Sequence, residues 1–354
     1  IVIAKENILL RYFVTSITHK MFALKDLKPG EDIMDYRGKR GSFNIYAFPA
    51  DSILNNLIKA DTGNYKLYAA LGNYYYDVFL HFGSRWIESD ETLFKHIEDN
   101  FLKVVEKQHP DYMLYYELGY VEELQKKYPA AIKYFLKSIA INNTYPNSFY
   151  NLAYAYLYEG DRSNALKYAV KSFDLYGDKS YKGDAARMTG EIYGEIGDIK
   201  NEINYYELSD KTDPENYYTL KDLLDVYVNS KNEKEQGALN VFYSLAPDNP
   251  TIYNDLAKIY ESNPAKLISF YESKLPDYNQ DKKVYGSLNF YLARLYIHDN
   301  KQKAKQYYEH TTDSILPLSS PPTSTSQQTK GKKKVKLTRR AAAAFRIHAR
   351  SDRN

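Results

Sequence analysis

The chain has 354 residues, more than one compact core holds and enough for two ordinary domains or one elongated array. It contains no cysteine, which excludes disulfides and cysteine-ligated zinc, and no window approaches the ~20 apolar residues that a membrane helix needs. The net charge of +3 conceals a division: residues 330–354 carry five Lys, five Arg and one Asp, net +9, which leaves −6 for residues 1–329, so the body carries no global sign of nucleic-acid binding.

Residues 1–48 fit no repeat. "KENILLRYFVTSITHKMFALKDL" is expected to be a helix and "KPGEDIMDYRGKRGSFNIYAFP" is turn-rich, so the segment reads as a cap or as the remnant of a preceding segment. The first residue is Ile rather than Met, which leaves room upstream for a natural start and a signal peptide, and the compartment, cytoplasmic or periplasmic, stays open. "DSILNNLIK" (51–59) reads as a lone helix ahead of a repeated pattern.

That pattern is an aromatic or apolar residue, a Leu three positions on, a small residue next, and a Tyr four after the Leu. It appears as Tyr68, Leu71, Gly72 and Tyr75; as Tyr115, Leu118 and Gly119; as Phe149, Leu152, Ala153 and Tyr156; as Tyr253, Leu256, Ala257 and Tyr260; and as Leu292, Ala293 and Tyr296. Looser copies run through Thr189, Gly190 and Tyr193 and through Leu220, Leu223 and Tyr227. The anchors at 71, 118, 152, 189, 223, 256 and 292 are 47, 34, 37, 34, 33 and 36 residues apart.

Each copy has a second half at spacing four, such as Ala165 and Ala169, or Ala131 and Phe135, so each unit reads as two amphipathic helices. Gly160-Asp161 and Gly197-Asp198 supply the turn, with Gly ending one helix left-handed and Asp capping the next. Pro214 and Pro247 end second helices, and Pro264 comes directly after a cap. "HFGSRWIESDET" (81–92) stretches the first copy and predicts a loop or short extra helix.

Aromatic, Leu-Gly, Tyr, Ala-x-x-x-Phe and Pro at a 34-residue period resembles the tetratricopeptide repeat family. The resemblance covers about residues 51–312, with Glu122 where the pattern has Tyr and with no Trp in any copy. It implies an all-α, right-handed α-α superhelix (solenoid) of about seven helix pairs, which places the array at 49–312 and a disordered basic tail at 313–354. Residues 317–336 are rich in Ser, Pro, Thr and Lys, and "LTRRAAAAFRIHARSDRN" shifts so abruptly to Ala and Arg that it reads as non-native.

Patterns that carry chemistry are sparse. There is no phosphate-binding glycine loop, no nucleophile elbow and no metal-binding spacing among the seven His residues, so no catalytic residue, metal or cofactor is expected. What remains is a second face. Counted from each anchor, positions −5, −2, +2, +5 and +6 share a side of the helix distinct from the buried stripe. The resemblance implies that this side lines a concave groove for a protein or peptide segment. Its residues here include Asn73 and Tyr76; Tyr116 and Tyr120; Tyr150, Tyr154 and Tyr158; and then Arg187, Lys221, Lys258 and Arg294. The chaperone-tail clamp of one subgroup is not expected, because Asn73 matches but Ala69 and Glu117 depart.

The expected function is thus a non-enzymatic scaffold or adaptor. The alternative is a small-molecule or glycan binder, or the accessory repeat domain of a truncated enzyme, since stacked tyrosines suit sugars as well as peptides.

Overall fold

A computed structural model describes residues 14–16, 21–24, 44–47, 50–82 and 88–311. The basic run from Lys330, Trp86 and the tail expected to be disordered lie outside the described residues, as does the side chain of His81.

The described parts of the first 48 residues are strands, which corrects the helix expected there. β1 (Val14–Ser16), β2 (Met21–Leu24) and β3 (Asn44–Ala47) form an antiparallel sheet in the order β1-β2-β3. Val14 pairs with Ala23, and Met21 with Ala47. The physical reason is local: "VTSIT" places four β-branched residues within five, and such side chains are stiff in a helix and favoured in a strand.

Fifteen described helices come after the sheet. α1 (Ala50–Ala60) is the lone leading helix. The pairs are α2 (Tyr65–Phe82) with α3 (Asp90–Glu106), α4 (Tyr112–Leu124) with α5 (Tyr128–Ile141), α6 (Pro146–Glu159) followed by α7 (Arg162–Leu175), and α8 (Lys179–Glu195) with α9 (Ile199–Thr212). Then come α10 (Tyr217–Ser230) with α11 (Glu235–Ser244), α12 (Pro250–Ile259) with α13 (Pro264–Lys274), and α14 (Lys282–Tyr296) with α15 (Lys301–Glu309). A 3-10 turn, Leu275–Tyr278, precedes α14.

The chain divides into two compact units, one ending at Glu159 and the other beginning at Gly160. In the first unit α1 to α6 pack in chain order, and in the second α7 to α15 do the same. This is the connectivity of an all-α solenoid, in which each element contacts its sequence neighbours.

The turns are built as the residue types require. Gly160 and Gly197 have φ of +84° and +80°, and Asp161 and Asp198 accept the backbone N–H of Asn164 and Asn201 at 3.0 and 3.1 Å. Pro250 and Pro264 open α12 and α13, where the missing N–H costs nothing.

All seven anchors, Leu71, Leu118, Leu152, Thr189, Leu223, Leu256 and Leu292, are buried. At Gly72, Gly119 and Gly190 the residue after the anchor is small because a ring from the second helix lies on it. A Cβ on Gly119 would sit 2.7 Å from Phe135 Cδ1, and one on Gly190 would sit 2.7 Å from Tyr206 Cδ1. Ala257 departs from this rule and is exposed.

A second device recurs at three second helices, α5, α9 and α11, and ties them to neighbouring helices. Ser138 Oγ on α5 donates to Tyr112 O on α4 (2.7 Å) and meets Ser148 Oγ on α6 at 2.8 Å. Ser209 Oγ on α9 donates to Gly183 O on α8 and meets Thr219 Oγ1 on α10, both at 2.8 Å. At the corresponding place Tyr243 OH on α11 meets Tyr253 OH on α12 at 3.1 Å. These buried hydroxyls satisfy one another where apolar packing alone would leave them unpaired.

Candidate functional site

The expected binding positions all lie on first helices, and the structure assigns them different surroundings. In the first unit Tyr76, Tyr116, Tyr120 and Tyr150 are buried, while Asn73, Tyr154 and Tyr158 are half-buried. Tyr120 stands between Tyr76 and Tyr116, with ring centroids 6.4 and 6.3 Å away, and Tyr116 meets Tyr145 edge-on at 5.2 Å. These rings form the floor of the face. Tyr154 and Tyr158, one turn apart on α6, are 4.6 Å apart, and Tyr158 stacks on Tyr128 at 5.1 Å. Burial, then a hydrogen bond with Tyr158, holds the Tyr154 phenol far above its ordinary range. Glu123, at position +5, is driven well above the usual carboxylate range by burial.

In the second unit Arg187 and Lys221 are half-buried, and Lys258 and Arg294 are exposed. Arg187 Nη1 donates to Asp222 Oδ2 at 3.0 Å, from α8 to α10. Lys221 lies 3.3 Å from Asp255 Oδ1, from α10 to α12, and Tyr217 OH donates to Asp255 Oδ2 at 2.6 Å. Lys258 also approaches Asp255, at 3.9 Å. Arg294 pairs with no carboxylate among the described residues; its guanidinium lies 5.5 Å from the Tyr291 ring centroid and 5.9 Å from that of Phe290.

These contacts share a register that the sequence does not display. At three joints position −2 of one first helix binds position −1 of the next. In the first unit Asn151 Nδ2 donates to Tyr116 OH at 3.2 Å, and in the second Arg187 meets Asp222 and Lys221 meets Asp255. Tyr116, Arg187 and Lys221 thus join neighbouring repeats as well as occupying the face. The only signal for them is a pair of complementary residue types 34 or 35 apart, which helix-face counting within one repeat passes over.

Carboxylates gather around Arg187. Burial raises Asp184 and Asp222 against the opposing pull of Arg187. Glu191 is pushed up to about 7, first by burial and then by Asp222 and Glu195, with Arg187 pulling the other way. Among the described residues no group of three or more His, Asp or Glu is arranged to hold a metal ion, and no helix is long and apolar enough to cross a membrane.

The tetratricopeptide repeat family model matches residues 114–145 and 146–179. No match was found among the curated proteins. Among solved structures, the chain is similar to MamA at 21% identity and a TM-score of 0.40, covering 46% of this chain and 86% of that one. It is similar to YrrB, described as a TPR protein with an unusual peptide-binding site, at 16% identity and a TM-score of 0.45, covering 58% and 97%. It is similar to PilF of Pseudomonas aeruginosa at 17% identity and a TM-score of 0.44, covering 59% and 88%. Residues 114–179 are thus two tetratricopeptide repeats, and the described helical pairs on either side share their helix-turn-helix construction, a framework of the kind that supports protein interaction.

Proposed function

We propose that the chain is a non-enzymatic adaptor that holds a protein or peptide segment against the first-helix face. The observation that carries this reading is the composition of that face. In the first unit the face combines buried tyrosines with the half-buried, mutually packed rings of Tyr154 and Tyr158, and in the second unit the face is charged and more open, with Lys258 and Arg294 exposed. Rigid aromatic rings with Arg nearby are the usual makings of binding hot spots, because they offer contact area at small entropic cost. Three joints are also fixed through the −2 to −1 contacts, so those parts of the face are ordered before a partner arrives.

Tyr158→Ala, Lys258→Glu and Arg294→Glu should each weaken partner capture without loss of helicity. Leu136→Ala on the second-helix side serves as control. Capture that is unchanged in all three face variants would rule the face out.

A further inference from the structure

The joint between α12 and α14 lacks the −2 to −1 contact found at α4–α6, α8–α10 and α10–α12. Asn254 stands at −2 and Tyr291 at −1, and no hydrogen bond joins them. A cavity of about 130 Å³ opens there instead. Its walls include Tyr253, Tyr271 and Tyr291, and its rim includes Asn254, Ala257 and Arg294. Tyr253 and Tyr291 are stacked, with centroids 4.4 Å apart and planes 6° from parallel. Tyr271 is buried and its hydroxyl has no hydrogen-bond partner among the described residues. The three rim residues are exposed.

Size and chemistry restrict what fits. An apolar cavity of about 150 Å³ is known to hold a benzene molecule, so this one matches a single six-membered ring and is too small for two fused ones. The aromatic walls favour a flat ring, stacked or edge-on. Arg294 lacks a carboxylate partner among the described residues, and its guanidinium presents paired N–H donors that match a carboxylate, while the Asn254 amide adds a further donor on the same rim. A cation at the rim would face Arg294 and be repelled.

We propose that this cavity binds a benzene-sized aromatic ring whose carboxylate, separated from the ring by one or two carbons, is held at the rim by Arg294 and Asn254. That chemistry is shared by a free aryl acid and by a chain ending in phenylalanine. The inference rests on the proposed function only in that Asn254 and Arg294 belong to the same face.

The test uses the full chain and calorimetric titration with phenylacetate, benzyl alcohol, acetate, and a Gly-Ser hexapeptide ending in Phe with a free or amidated terminus. Phenylacetate or the free-terminus peptide should bind at least tenfold more tightly than acetate, and whichever is tighter identifies the source. Arg294→Gln should weaken that binding about tenfold and leave benzyl alcohol unchanged. Ala257→Leu, an exposed position whose larger side chain closes the mouth, should weaken every ring-bearing probe about tenfold with the circular dichroism unchanged. Aryl acids that bind no better than acetate, or binding unaffected by Ala257→Leu, would overturn the proposal. Neither result would touch the adaptor reading, whose own test is partner capture through Tyr158, Lys258 and Arg294.

Discussion

Ser209 Oγ lies 2.8 Å from Thr219 Oγ1 while also donating to the Gly183 carbonyl, so one buried hydroxyl joins three consecutive helices. Ser209→Ala should cost about 1–3 kcal/mol, because Thr219 and the carbonyl lose their partner without gaining water. Adding Thr219→Val should cost less than the sum of the two single changes, since the pair is then removed together. Urea denaturation of the four proteins measures this. Strict additivity would show that the two hydroxyls act independently.

Glycines in helices usually gain stability on conversion to Ala, by up to about 1 kcal/mol. Gly237 in α11 should do so, since a Cβ there meets nothing within 4 Å. Gly119→Ala and Gly190→Ala should instead destabilise by about 1–3 kcal/mol, because the methyl group drives into the faces of Phe135 and Tyr206. Opposite signs of the change in thermal midpoint at Gly237 and Gly119 are the expected outcome. The same sign at both would mean that the ring contact does not constrain the repeat.

Glu191 gives the second unit a pH dependence. Its folded pKa of about 7 lies above its unfolded value, so the folded state binds the extra proton. Its contribution to stability is therefore fully present below about pH 4.5, declines as pH rises, and is lost above about pH 7. Glu191→Gln should be about 1 kcal/mol more stable than the parent at pH 8, with the gap closing toward pH 4. Thermal unfolding at the two pH values reads this directly, and a pH-independent gap would remove Glu191 as the source.

The Arg187–Asp222 contact predicts a directional effect. Arg187→Ala leaves Asp222 without its guanidinium and should destabilise by about 1–2 kcal/mol, and Arg187→Ala with Asp222→Asn should recover part of that loss. The comparison needs chemical denaturation at one fixed pH.

The helical array was legible because its signal is redundant. Most anchors are followed by a small residue, and at Gly72, Gly119 and Gly190 that residue is explained by a specific ring from the second helix, as Gly119 is by Phe135. Each turn likewise carried its own residue types, Gly197 and Asp198 among them. The first 48 residues had no such redundancy, so apolar spacing there suggested a helix even though four of the five residues from Val14 to Thr18 are β-branched. The candidate face was legible as a set of positions but not as a surface. Helix-face counting places Tyr116 and Tyr154 alike, yet Tyr116 is buried against Tyr120, Tyr145 and Asn151, whereas Tyr154 is only half-buried. How deeply a ring sits depends on the neighbouring repeat, and no single repeat encodes that. The hydroxyl pairs ten residues apart and the contacts 34 or 35 residues apart were invisible for the same reason, being properties of two repeats taken together.

The central claim is that partners meet the first-helix face, and site-specific photo-crosslinking tests it most directly. A photoreactive residue is placed in turn at Asn73, Tyr158, Lys258 and Arg294, and at the exposed second-helix positions Leu136 and Val241. Crosslinks to a partner should concentrate at the four first-helix positions. Crosslinks that concentrate at Leu136 and Val241, or that are equal at all six, would contradict the account.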